Sequence, residues 1–143
     1  MRVLFDTSVL VPAVVDQLAN HESAFGALQR HGGGEHRGCC STHALAECYA
    51  TLTALPLPSR VLPEQARILM EESIGKRLEI IQLTSEDYLH ALRLVADLGL
   101  ASGAIYDALH ARCALKASVD RILTYNVADF ERFQLQDIVV TAP

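Results

Sequence analysis

The sequence predicts an α/β fold, a three-layer α/β/α domain with a mostly parallel central sheet. The main observation is that short strand-like runs alternate with helical segments almost throughout the chain. A second is that 143 residues fit one domain of ordinary size, read as residues 1–143, with no repeat, low-complexity tract or internal boundary. At that size folding buries roughly 68–70% of the unfolded surface, so a core forms without staples. The third is composition: half the residues are hydrophobic and 20% are charged, which excludes a largely disordered chain. Aromatics are few and tryptophan is absent, so the core is mainly aliphatic.

Residues 2–5 (RVLF) read as a short buried strand ending at Asp6. From Ser8 the pattern is helical until Pro12, a residue suited to a first turn. Asn20 is placed to cap a helix over residues 21–30, and the flexible HGGG stretch at 31–34 stops it. Residues 38–41 carry a brief strand, after which Ser41 or Thr42 caps a helix to about Leu55 that contains Glu47. The proline-broken LPLPSRVLP connector leads to Pro63, which suits the first turn of a helix running to Ile74, with Gly75 closing it. LEIIQL (78–83) is the next strand. A helix follows from about Ser85 to Gly99, then one capped by Ser102 that carries Asp107. RILTY (121–125) and DIVVT (137–141) supply the last strands.

The four cysteines, 39, 40, 48 and 113, form no CxxC or Cys/His zinc pattern and read as free thiols of a reducing cytosol. Asp6 interrupts any signal-peptide core, and nothing reaches the roughly 20 apolar residues of a membrane span, so a cytoplasmic protein is expected. The formal charge of −5 argues against a high-affinity nucleic-acid coat but is compatible with a nuclease whose carboxylates gather around metal. HGGG lacks the flanking pattern of a phosphate-binding loop.

In open parallel sheets ligands bind beyond the carboxyl ends of the strands, where Asp6 falls. Burying an ionised Asp in the apolar run VLFDTSVLV costs several kcal/mol unless it is paired or binds a metal. Other polar residues lie at comparable junctions. Glu47 projects beside an apolar helical stripe, and pairing with His43 one turn earlier would also explain it. Asp107 lies near the start of a helix, where the dipole favours an acid, beside an expected sheet-facing small-residue face of Ala104, Ala108, Ala111 and Leu115. Asn126 follows Thr124, and Asp129 comes three residues later; an Asx-turn and a helix cap would account for that pair too. Taken together, several acids on one rim repel each other and persist mainly where a divalent cation holds them. Mg²⁺ or Mn²⁺ suits carboxylate and water ligands.

Four segments in this order, VLFDTSVLV, LAECYATL, AIYDALHARCAL and ILTYNVADF, resemble the PIN-domain family of metal-dependent ribonucleases, most closely its VapC-like toxins. The resemblance spans essentially the whole chain. It matches Asp6, Glu47 and Asp107 to the family's core acids, with Asp6 and Asp107 as metal ligands. At the fourth position Asn126 stands where many members have Asp, which removes a charge from a second metal site; Asp129 is a candidate either to compensate or to brace the loop.

The resemblance implies hydrolysis of RNA phosphodiester bonds with Mg²⁺, or Mn²⁺, as cofactor. Thr7, Ser8 and Thr124 are candidates to bond a carboxylate or the scissile phosphate, and Arg112 and Lys116 to meet RNA phosphates. It also implies a small antitoxin partner and a homodimer; the apolar, proline-containing residues 55–70 are a candidate surface for either, and core packing would explain them equally well. The alternative is a PIN-fold protein that binds RNA or antitoxin with little turnover. Phosphatase and phospho-receiver domains are disfavoured: Asp6 is followed by Thr-Ser, and no early acidic pair is present.

Overall fold

The computed structural model describes residues 1–33 and 37–143; Gly34, the last residue of the HGGG turn, lies outside the described residues. Five strands, β1 (Val3–Phe5), β2 (Gly38–Ser41), β3 (Glu79–Ile81), β4 (Arg121–Leu123) and β5 (Val139–Thr141), form one sheet in the order β3-β2-β1-β4-β5. Every pairing is parallel, so the expected mostly parallel sheet is wholly so.

Side chains alternate across the sheet and divide the core in two. Leu4, with its register partners Cys39 and Ile122, faces α5 (Ser85–Asp97), α6 (Ala104–Lys116) and α7 (Val127–Glu131). Phe5, Cys40 and Leu123 face α1 (Thr7–Val14), α2 (His21–His31), α3 (Thr42–Ala54) and α4 (Pro63–Ile68). This is the α/β/α sandwich expected. The alanines 104, 108, 111 and 114 of α6 are all buried, which lets that helix lie close on the sheet. All four cysteines are unpaired and buried, and burial pushes the Cys48 thiol up to about 12. Among the described residues no helix is long and apolar enough to cross a membrane.

Several boundaries differ from the sequence expectation for local reasons. α1 starts at Thr7, directly on the strand, and Pro12 sits inside it. With only eight residues, the helix has few interior bonds for a proline to remove. α4 ends at Ile68 and passes into a π-helical stretch, Leu69–Gly75. Leu78, Gln82 and Leu83 fall outside the strand, which spans only Glu79–Ile81 at the sheet edge.

The tie between α5 and α6 is polar. Asp87 closes a capping box with Thr84: the Thr84 backbone N–H donates to its Oδ2 at 2.8 Å, and its own N–H donates to Thr84 Oγ1 at 3.3 Å. The buried carboxylate also accepts from Arg112 Nε at 3.0 Å and Lys116 Nζ at 2.7 Å. Burial alone would raise this carboxyl, but these donors hold it well below the usual range. Asp87→Asn is therefore expected to destabilise the fold by about 2–4 kcal/mol. That is somewhat under the scale for a fully buried pair, because both cations are partly solvated. Its share of the stability is present above the ordinary Asp value of about 3.9 and is lost as pH falls below it. Urea denaturation at pH 7 and at pH 3 checks both points. A variant midpoint equal to the parent's at pH 7 would show that Asp87 is not a tie.

Candidate active site

The sheet's strand order reverses direction between β1 and β4, so a crevice opens at their carboxyl ends. Asp6 stands there. Its backbone N–H donates to Leu123 O at 3.0 Å, extending the β1–β4 pairing by one residue, and its carbonyl accepts from Val9 and Leu10 to start α1. Asp6 occupies the N-cap of α1 without using its side chain as a cap, which leaves the carboxylate for other partners. It is buried, 2% exposed.

Hydroxyls from both strand ends fix this carboxylate. Ser8 Oγ donates to Asp6 Oδ2 at 2.7 Å and Thr124 Oγ1 donates to the same oxygen at 2.8 Å. Backbone N–H groups hold the hydroxyls in turn: Tyr125 donates to Ser8 Oγ and Asn126 donates to Thr124 Oγ1. Both hydroxyl candidates thus brace the acid. Thr7 does not join them, since it is buried and turned toward Cys48 in the core.

Glu47 reaches the same region from α3, through two histidines. His110, fully buried on α6, has Nε2 at 3.1 Å from Glu47 Oε2 and 3.7 Å from Asp6 Oδ1, with Nδ1 at 3.2 Å from Ser41 Oγ. Ser41 also accepts from the Ala44 N–H as the N-cap of α3, so the end of β2 positions both histidine and helix. His43 Nε2 lies 3.3 Å from the same Glu47 oxygen, close enough for Coulomb attraction but not aligned for a hydrogen bond. Burial would raise Glu47, and contact with His110 and His43 holds it instead at about 2. For His110 burial works against the proton, while Glu47, Asp6 and Asp107 outweigh it and favour the imidazolium.

Asp107, in the first turn of α6, is the carboxylate under strain. Burial raises it, and the negative charges of Asp6 and Asp129 raise it further, to about 6. Among the described residues no donor hydrogen-bonds it. The nearest cation is Arg132, whose Nη2 lies 3.7 Å from Asp107 Oδ2 and 3.6 Å from Asp129 Oδ1. Asp129 sits within α7. Asn126 caps that helix through its backbone carbonyl, and its side chain makes no cap bond.

Arg112 and Lys116, offered to phosphate by the sequence, instead end on Asp87 as described above. Three residues absent from the sequence reading of the site belong to it: His110, Ser41 and Arg132. A histidine three residues after an acid on one helix, so on the same face, was the available signal for His110. Arg132 carried no signal short of the fold.

Among the described residues no three His, Cys, Asp or Glu side chains form a ready metal cage. The donor chemistry nevertheless fits a hard divalent ion. Mg²⁺ keeps several waters and needs only one or two carboxylates plus substrate phosphate. Asp6 commits Oδ2 to hydroxyls and leaves Oδ1 available, and Asp107 carries a charge that its neighbours disfavour. A cation held by the two would relieve that repulsion. Glu47 commits Oε2 to its histidines.

Comparison with known proteins places the chain in a family and matches its fold. The family model described as "PIN domain" matches residues 3–134. Ribonuclease VapC27 of Mycobacterium tuberculosis is 35% identical over 109 residues, covering 76% of this chain and 74% of that protein. Among solved structures, M. tuberculosis VapC20, described as a sarcin–ricin loop cleaving toxin, superposes with a TM-score of 0.75 at 14% identity, covering 94% of this chain and 97% of that one. VapBC2 of Rickettsia felis, bound to a DNA fragment from its promoter, gives a TM-score of 0.68 at 18% identity with both chains fully covered. At these identities the two structures speak for the fold alone.

Proposed function

From the premise that this chain belongs to the PIN-domain family, we infer that it is a divalent-metal-dependent endoribonuclease and the toxin of a toxin–antitoxin pair. The observation that carries the reading is Asp107, a carboxyl raised to about 6 beside Asp6 and Asp129 at the crevice beyond the carboxyl ends of β1 and β4. Perturbed groups gathered in a cleft are the mark of a functional site. VapC-type ribonucleases among its relatives supply the reaction class.

In this reading Asp6 and Asp107 hold Mg²⁺ or Mn²⁺. The ion supplies Lewis-acid charge at the scissile phosphoryl group and acidifies the attacking water. Ser8 and Thr124 keep Asp6 aimed into the crevice. Glu47, held at about 2, is a poor proton acceptor near neutral pH, so its part is to orient water by accepting a hydrogen bond. Asp129 stands in for the charge that Asn126 lacks. Arg132 is the cation placed to meet a substrate phosphate.

A small antitoxin suits the acidic crevice through a basic group. The apolar groove of about 620 Å³ lined by Leu45, Tyr49, Pro63 and Met70 is the companion surface for it or for a second copy of the chain.

The test is cleavage of a structured RNA pool by antitoxin-free protein with Mg²⁺ or Mn²⁺, beside EDTA and Asp6→Asn controls. Cleavage is expected with metal only and is expected to vanish in the folded variant. Protonation of Asp107 would remove the charge that a metal ion needs, so the rate is expected to fall as pH drops below about 6. Binding of RNA without turnover in either metal would favour the alternative, a PIN-fold binding protein. A rate flat from pH 5 to pH 8 would remove Asp107 as a ligand.

A further inference from the structure

Beside the acids lies an aromatic cluster that the metal chemistry does not use. Tyr106, the residue before Asp107, is 47% exposed, and Tyr88 of α5 is 37% exposed. His43 stacks on Tyr106 with ring centroids 5.1 Å apart and planes 18° apart, and meets Tyr88 edge-on at 6.4 Å. The same His43 contacts Glu47, so the ring stack is continuous with the site. Packing explains His43, which is mostly covered. It does not explain two tyrosines that keep ring surface in water at the edge of a crevice.

We propose that Tyr106 and Tyr88, backed by His43, form a stacking platform for an unpaired nucleobase adjacent to the scissile phosphate. The inference rests on the ribonuclease reading and names how its substrate is gripped. Charge supports it. The chain carries −5 overall, Arg112 and Lys116 are engaged by Asp87, and Arg132 faces two carboxylates, so phosphate contacts are a thin source of affinity. Aromatic rings supply affinity independently of charge, because every base has a π-face, and single-stranded or loop RNA presents unstacked bases to such rings. The platform meets the acids through His43, which stacks on Tyr106 and contacts Glu47, so a base held there lies on the Glu47 side of the site. Recognition then starts with a splayed-out base, and binding is expected to weaken only modestly with salt.

The absence of tryptophan provides a clean test. Tyr106→Trp places a single indole on the platform, and it is titrated with stem–loop RNAs of randomised loop sequence, in EDTA to prevent cleavage. Indole emission is expected to be quenched on binding, with affinity close to that of the parent. Tyr106→Ala should bind the same pool roughly ten- to hundredfold more weakly, and in Mg²⁺ its KM should rise by more than its kcat falls. Tyr106→Phe, which keeps the ring, should restore both. Parent-like binding by Tyr106→Ala, or bound RNA with no quenching in Tyr106→Trp, overturns the platform while leaving the ribonuclease intact. Release of a co-purified protein partner by Tyr106→Ala, with RNA binding unchanged, overturns it in favour of a protein-docking surface. A parent that neither binds nor cuts RNA overturns the ribonuclease reading, and the platform with it.

Discussion

Asp107→Asn is expected to raise the thermal midpoint of the metal-free protein at pH 7 while lowering RNA cleavage by about a hundredfold or more. The two effects share a cause. Asp107 is destabilised as an anion by burial and by Asp6 and Asp129, which lift it to about 6. The folded chain therefore holds this proton more tightly than the unfolded chain does. Stability falls as pH rises from the ordinary Asp value through about 6, and above that the full penalty remains. Asn removes the charge and the penalty together. On the proposed reading it also removes a negative metal ligand; even the loss of an outer-shell partner of a metal site costs ten- to hundredfold. Calorimetry in EDTA should show the variant melting above the parent at pH 7, with the gap closing toward pH 4. Divalent metal should then stabilise the parent and leave the variant unmoved, since only the parent binds it. A variant that melts below the parent in EDTA would mean that Arg132 holds Asp107 favourably, contrary to the repulsion argued above.

That trade between stability and function explains what the sequence revealed and what it hid. Asp6 was legible because a lone carboxylate in an apolar run is costly, and a strand ending in a parallel sheet puts it at the rim. The sheet and its layers were legible from alternation of segments. Glu47 was harder: its pairing with His43 one turn away is real, and it lies beside the acids as well, so the bland and functional readings both describe it. Hydroxyl roles were split correctly only by the fold. Helix α1 begins at Thr7, which turns that side chain into the core and Ser8 toward Asp6. Arg112 and Lys116 share a helix face, as their spacing requires, but sequence could not tell that this face meets Asp87 on the preceding helix. Contacts that span long separations, such as His110 with Ser41 and Glu47, exist only once the strands are ordered.

His110→Leu is expected to destabilise the protein by about 3 kcal/mol. Leucine keeps much of the volume and fills the same fully buried space, so packing alone predicts a small change. The polar losses decide otherwise. Glu47 loses its donor, Asp6 loses a neighbouring cation 3.7 Å away, and Ser41 loses one of two partners. Removing one member of a buried charged pair leaves the other uncompensated, at about 3–5 kcal/mol when both are fully buried. Glu47 retains about a quarter of its side-chain exposure, which places the estimate at the lower end. Burial alone would lower His110, but Glu47, Asp6 and Asp107 raise it above its ordinary value near 6.5, so the sign with pH is fixed. The contribution is complete below about 6.5 and is lost as pH climbs through the raised value. The gap between variant and parent in urea should accordingly be widest at pH 6 and narrow in alkaline solution. Glu47→Gln combined with His110→Leu should cost less than the sum of the two by about 1 kcal/mol or more, the range for residues in one network. Strict additivity would mean that His110 supports Asp6 alone, and that Glu47 is held by His43.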